Sequence, residues 1–206
     1  MKYLEFKKQL KDFIVFPILE IKKLDASVNY LRRVYEWQKK GYIKKVIKSF
    51  YIFSDLDINE EVLFIISNKI YKPSYISFEM ALSYYNLIPE SVYGITAATS
   101  RKTSKFYTEM GGFFYRSLKP NLMFGYKLVK YKNQGYLMAD IEKAILDFFY
   151  LRTDLKVEDD FSELRINARE LLEQINSKKL RKYLSVYKNK SLEERIERFV
   201  RYIKDA

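Results

Sequence analysis

Helical periodicity at both ends of the chain, with short aromatic segments and turn signals between them, predicts an α/β fold of the α+β type. Three observations carry this. Residues 2–12, 18–25 and 28–40 repeat apolar groups at helical spacing, and residues 42–53 switch to strand spacing. Residues 92–138 break into segments rich in Tyr, Phe, Thr and Val at Gly111-Gly112, Pro120-Asn121 and Asn133-Gln134-Gly135. From Asp140 onward the pattern is helical again.

Taken in order, residues 2–12 predict a first helix. Pro17 suits the first turn of a second, where its missing N–H is not needed. That helix is expected to bury Ile18, Ile21 and Leu24. Asp25-Ala26-Ser27 forms a turn, and the Ser27 hydroxyl is placed to cap the next helix. On a helical wheel of residues 28–40, Val28, Leu31, Val34 and Tyr35 gather on one side. Asn29, Arg33, Glu36 and Lys40 lie opposite, with Arg32 flanking. Gly41 is expected just past the helix end. Strands at 42–46 and 50–53 follow around Ile47-Lys48-Ser49, and the polar stretch Ser54-Asp55-Leu56-Asp57 joins two domains. A helix is predicted over 59–70, ended by Pro73. Residues 75–77 are extended, with Ser77 capping a helix over 78–85. After the strand-rich part, Asp140 and Glu142 open a long helix at its positive end. An acidic loop at 158–160 precedes helices over 161–176, 178–187 and 191–204. The expected domains are 1–55 and 57–206.

Of the 206 residues 48% are hydrophobic, enough to bury a core. The net charge of +12 is unevenly placed. Residues 1–55 hold 13 Lys/Arg against 6 Asp/Glu, residues 56–177 hold 15 against 16, and residues 178–206 hold 10 against 4. Two basic ends around a neutral middle predict contact with a polyanion. With no Cys and no His, disulfides, thiolate or imidazole catalysis and zinc-thiolate sites are excluded. The first residues lack the apolar core of a signal peptide, and no run approaches the roughly 20 apolar residues of a membrane span. A cytoplasmic protein without membrane contact is expected.

A helix with an Arg-bearing polar face, a glycine, and then a lysine-lined hairpin have the order of a winged helix-turn-helix. On that reading Arg32 and Arg33 pair with guanine edges and Asn29 with adenine. Ser27 and Tyr30 sit at the helix start, where side chains reach double-stranded DNA. Lys44, Lys45 and Lys48 meet phosphate from the hairpin, and Lys39 and Lys40 from the helix end. Three other features have two readings each. The loop 99–105, with Arg101, Lys102 and Thr103, can hold a phosphate, but its lack of phosphate-loop glycines favours a solvated turn. Asp140, Glu142 and Lys143 resemble the parts of a metal-dependent nuclease. Their place at a helix start favours instead ties between helix and sheet, with Asp147 a turn later. Arg195, Arg198 and Arg201 share one helical face, which either binds DNA, RNA or an acidic partner or is solvated.

Four ordered motifs carry a family resemblance. They are P-x-Y-x-S at 73–77, T-x-x-T-x-R-K-T at 96–103, G-x-F-x-Y-R at 111–116 and E-K-A-x-x-D at 142–147. With the preceding winged helix they resemble the AbiEi family of antitoxins from type IV toxin–antitoxin systems, described as transcriptional regulators of viral defence and abortive infection. The resemblance implies an N-terminal domain that binds operator repeats in its own promoter. It also implies a C-terminal domain that opposes a nucleotidyltransferase-like toxin through the toxin's effect or target rather than in a tight complex. The residues it offers for that domain are Tyr75, Ser77, Arg101, Lys102, Thr103, Glu142, Lys143 and Asp147. No catalysis, cofactor or metal is expected. The alternative is a stand-alone winged-helix transcription factor whose C-terminal domain senses a ligand or dimerises. In one respect the sequence departs from the family: Lys48-Ser49 stands where Arg-Gly is common. Serine is less suited than glycine to a positive φ, so a different turn is expected there.

Overall fold

The computed structural model describes residues 2–24, 29–89 and 93–205. Ser27 and the turn expected at 25–27 lie outside the described residues. The chain begins with α1 (Tyr3–Gln9), β1 (Phe16–Pro17), α2 (Ile18–Leu24), α3 (Tyr30–Lys39), β2 (Ile43–Ile47) and β3 (Phe50–Phe53). The three strands form an antiparallel sheet in the order β1-β3-β2. A small hydrophobic cluster lies within this first part of the chain, centred on Phe6, Phe16, Trp37, Tyr51 and Phe53. The Phe6 and Trp37 rings stack with centroids 4.6 Å apart.

Trp37 decides how α3 sits. Burying its ring removes more apolar surface from water than burying a leucine. The helix turns Val34 and Trp37 inward, and Leu31 and Tyr35, which the wheel groups with Val34, are 55% and 66% exposed. In α2 only Ile21 is fully buried, with Ile18 partly buried and Leu24 at the surface. Pro17 belongs to β1 and precedes the helix. Gly41 ends α3 with φ +70°. Ser49 also takes a positive φ of 69°, so the hairpin adopts the left-handed turn without a glycine. The Ser49 carbonyl then accepts from the Ile18 N–H at 2.8 Å, which ties the hairpin to the start of α2.

The rest of the chain builds a second, mixed sheet. Its elements begin with α4 (Glu60–Ile70), β4 (Ser74–Ile76), α5 (Phe78–Tyr84), β5 (Ile95–Thr99), β6 (Ser104–Thr108) and β7 (Gly111–Ser117). A 3-10 turn (Pro120–Leu122), β8 (Tyr126–Tyr131) and β9 (Gln134–Ala139) complete the strand-rich part. Helices α6 (Ile141–Leu151), α7 (Glu158–Glu163), α8 (Ala168–Gln174), α9 (Ser177–Tyr187) and α10 (Lys190–Asp205) follow. The sheet order is β6-β7-β5-β4-β9-β8, with β4 parallel to β9 and β5 parallel to β7. This is a mixed α/β, α+β architecture. Central β4 is buried along its whole length, as expected for a strand covered on both faces. Helix α6 is buried from Ile141 to Phe149. The single helix expected over 161–176 is two, separated at Arg165, whose φ is +47°. Asn167 restarts the helix by accepting from the Glu170 N–H at 3.2 Å.

The second hydrophobic cluster is larger and draws on both parts of the chain. Ile14, Val15, Val46 and Ile52 belong to it, and Leu56 packs against it. Asp12 accepts hydrogen bonds from Asn133 and Gln134 in the β8–β9 turn. The segment 54–57, expected to be a polar link, is therefore held at Leu56, and Asp55 pairs with Lys7. Among the described residues no helix is long and apolar enough to cross a membrane.

The left-handed serine makes a prediction about stability. Ser49→Gly removes the steric cost of positive φ and is expected to stabilise the chain by about 0.5–1 kcal/mol. Urea unfolding followed by the fluorescence of Trp37, the one tryptophan in the sequence, measures this. A destabilised variant would contradict the turn geometry.

Candidate nucleic-acid interface and the buried motif cluster

Helical spacing puts Leu31, Arg32, Tyr35 and Lys39 on the outward face of α3. The Arg32 side chain is 78% exposed, and its Nε lies 3.0 Å from Glu36 Oε1, one turn along. Asn29 is exposed at the helix start and makes no side-chain capping bond, while Tyr30 and Arg33 are half-buried. Lys40 and Lys48 are exposed, Lys48 in the β2–β3 turn. Lys39, Lys40, Lys44, Lys45 and Lys48 make no ion pair with a carboxylate among the described residues. An exposed set of uncompensated cations of this kind attracts a polyanion.

The hairpin lysines are not equivalent. The β2–β3 register shifts between Lys45 and Ile47, and both Lys44 and Lys45 stay exposed despite being neighbours on a strand. They line a cleft of about 350 Å³ shared with Ile52, Glu109 and Met110. Lys48 lies in the turn beyond that cleft. Sequence reasoning missed Leu31 and Tyr35 as surface groups of α3. The available signal was Trp37, three residues after Val34, which sets the buried face.

The motif residues of the larger unit lead elsewhere. Tyr75, Ser77, Lys143 and Asp147 are each fully buried. Asp147 Oδ2 accepts from Tyr75 Oη and from Ser77 Oγ, both at 2.8 Å. Its Oδ1 accepts from Tyr187 Oη at 2.7 Å and from Lys143 Nζ. All the acceptor positions of the carboxylate are thus in use. Lys143 Nζ also donates to Tyr187 Oη at 2.7 Å and lies 4.9 Å from the centre of the Phe124 ring. Burial draws the Lys143 ammonium toward its neutral form, the Asp147 charge opposes this, and burial is the stronger. Burial, with Asp147 beside them, pushes the Tyr75 and Tyr187 phenols well above their usual range. Ser77 precedes α5, but its hydroxyl bonds Asp147 rather than capping the helix.

Asp140 caps α6 by accepting from the Lys143 N–H at 3.1 Å. Lys179 Nζ lies 2.8 Å from Asp140 and 3.0 Å from Glu142, and an ammonium therefore bridges the two carboxylates. Burial works against that charge, but the two hydrogen-bonded carboxylates outweigh it and raise the Lys179 pKa. Glu142 Oε1 also accepts from the Asn176 N–H at 2.8 Å. Among the described residues no group of three or more acidic side chains is arranged to hold a metal ion.

Arg101, Lys102 and Thr103 are exposed. The Arg101 guanidinium lies 4.3 Å from the centre of the Tyr71 ring, Tyr71 Oη donates to the Lys102 carbonyl at 2.8 Å, and Thr103 Oγ1 accepts from the Ser117 N–H at 3.2 Å. The face expected from three C-terminal arginines is broken. Arg195 is buried, and its Nη1 donates to the carbonyls of Phe149 at 2.7 Å and Arg152 at 2.8 Å, capping the end of α6. Arg198 donates to the Lys156 carbonyl at 3.1 Å.

Two substitutions test the cluster. Asp147→Asn leaves a buried ammonium without its counter-charge and is expected to cost about 3–5 kcal/mol in urea unfolding followed by circular dichroism. Gly125→Ala is expected to destabilise as well. Gly125 has φ +70°, and a Cβ there would stand 2.8 Å from the Tyr183 ring and 3.1 Å from the Lys143 side chain. Wild-type stability in either variant would contradict the packing described.

A scan of the chain against protein-family models finds no match, and a search of curated proteins finds no relative.

Proposed function

We propose that the chain is a DNA-binding transcriptional autoregulator and antitoxin, with residues 1–55 acting as a winged helix-turn-helix and residues 57–206 as the antitoxin domain. One observation carries the DNA half. Helices α2 and α3 lead into a hairpin whose turn carries Lys48, and α3 turns Arg32, Tyr35 and Lys39 outward beside exposed, unpaired Lys40. In this reading α3 enters the major groove of operator repeats, Arg32 reads a guanine edge, and Leu31 and Tyr35 supply apolar contact for thymine methyls. Lys39, Lys40 and Lys48 meet phosphates. Lys44 and Lys45 reach phosphate from the side that faces Glu109.

The four ordered motifs at 73–77, 96–103, 111–116 and 142–147 support the antitoxin half. The counterpart is a nucleotidyltransferase-like toxin, opposed indirectly, in the cytoplasm and without catalysis by this chain. Of the motif side chains, Arg101, Lys102 and Thr103 are exposed for outside contact. The buried ones hold the domain together.

Gel-shift titration on the chain's own promoter tests the DNA half. Replacing Arg32 and Arg33 by Ala is expected to cost about 1–3 kcal/mol per lost base contact. Replacing Lys48 is expected to weaken all duplexes alike and to lower the log–log salt slope by about one. Lys44→Ala is expected to have a smaller effect than Lys48→Ala. Unchanged operator affinity in the double Arg variant would overturn the assignment of α3. Growth rescue on co-expression with a nucleotidyltransferase-like toxin, taken from the flanking genes, tests the antitoxin half; absence of such a gene, or of rescue, would overturn it.

A further inference from the structure

A second cleft, of about 320 Å³, lies where α4 hands over to β4, against β9 and the start of β8. Its lining includes Asn68, Lys69, Lys72, Ser74, Tyr126 and Leu137. Two of these carry polar atoms that the protein leaves unsatisfied. Asn68 and Ser74 are both more than nine-tenths buried, and neither Asn68 Nδ2 nor Ser74 Oγ has a hydrogen-bond partner. The other end of the Asn68 amide is used, with Oδ1 accepting from the Leu137 N–H at 2.5 Å. An unmet buried donor is costly, and two beside one cleft point to a ligand that completes them.

The charge around the cleft is one-sided. Lys69 and Lys72 line it, no carboxylate does, and neither lysine makes an ion pair among the described residues. Burial, and then the neighbouring Lys72 charge, pull the Lys69 pKa down, so an anion placed there would favour the Lys69 ammonium. The carbonyl end of α4 opens on the same side, and the lysines supply the positive potential that a helix C-terminus lacks. The remaining wall is apolar and aromatic. Tyr126 is 38% exposed and stacks on Tyr75 with centroids 4.7 Å apart, next to Met123 and Leu137. The volume lies at the lower end of the range for small-molecule sites, about 300–1,000 Å³.

We infer that this cleft binds a mononucleotide, its phosphate at Lys69 and Lys72, its base against Tyr126 and Leu137, and its polar edge on Asn68 and Ser74. The site does not depend on the DNA-binding reading, since it uses no residue of α3 or of the β2–β3 hairpin.

Calorimetric titration of the full chain with AMP, GMP, CMP and UMP, and separately with adenosine and with inorganic phosphate, tests the site. At least one monophosphate is expected to bind with a Kd below about 1 mM, with adenosine and phosphate at least about tenfold weaker. Lys72→Gln and Ser74→Ala are each expected to weaken that affinity about tenfold, the loss of one charged or buried hydrogen bond. Ser74→Ala removes a hydroxyl that is unpartnered in the free protein, so its own melting temperature is expected not to fall while the nucleotide-induced rise becomes smaller. Arg32→Ala is expected to leave nucleotide affinity unchanged. The inference is overturned if no monophosphate binds up to about 10 mM, or if phosphate alone binds as tightly as the nucleotide. It is equally overturned if Lys72→Gln and Ser74→Ala bind like wild type, or if Arg32→Ala abolishes binding.

Discussion

A carboxylate taken out of water costs several kcal/mol unless its lone pairs are filled by protein donors. Asp147 is in that position, and its four donors come from three places in the chain: Tyr75 and Ser77 at β4, Lys143 on the same helix, and Tyr187 at the end of α9. The network holds only when sheet, α6 and C-terminal helices are assembled together. The other polar groups of α6 act the same way. Asp140 and Glu142 hold the start of α9 through Lys179 and Asn176, and the carbonyls at its far end are taken by Arg195 of α10. Helices α9 and α10 are thus tied to one buried helix by directed bonds, and apolar packing fills the space between them.

This use of charge separates the two parts of the chain. In the larger part the ionic groups of the 142–147 motif, Glu142, Lys143 and Asp147, are turned inward and matched. Around α3 and the hairpin, the lysines are turned outward and, among the described residues, left unmatched. Matched buried charge gives specificity of fold. Unmatched surface charge gives a field that reaches a partner over about a Debye length. The proposed division of labour, with DNA at one end and a rigid scaffold at the other, follows from that contrast.

The hairpin belongs to both parts. Ile43, Tyr51 and Phe53 serve the small cluster, and Val46 and Ile52 serve the large one. The larger part therefore holds the hairpin against its β6–β7 turn. Asp12, bonded to the β8–β9 turn, fastens the connection from α1 in the same way.

Much of the element order was legible from local spacing alone. The helices at the two ends, the hairpin at 42–53, the capped helix after Asp140 and the strand-rich middle all follow from periodicity and turn residues, which depend on near neighbours. The charge asymmetry and the lack of His and Cys were equally plain. What spacing could not supply was the partner of each side chain. Leu31 and Tyr35 were grouped with Val34 on one side of the helix because a wheel does not show that Phe6 waits for Trp37. Arg195 was placed on a surface face because the carbonyls it caps lie on another helix. Tyr75 and Asp147 meet across 72 residues, and the cleft at Asn68 joins segments 69 residues apart. Local sequence determines which conformation each segment prefers. Only assembly determines which groups lose their water, and that loss sets the fate of every buried charge and unpaired donor here.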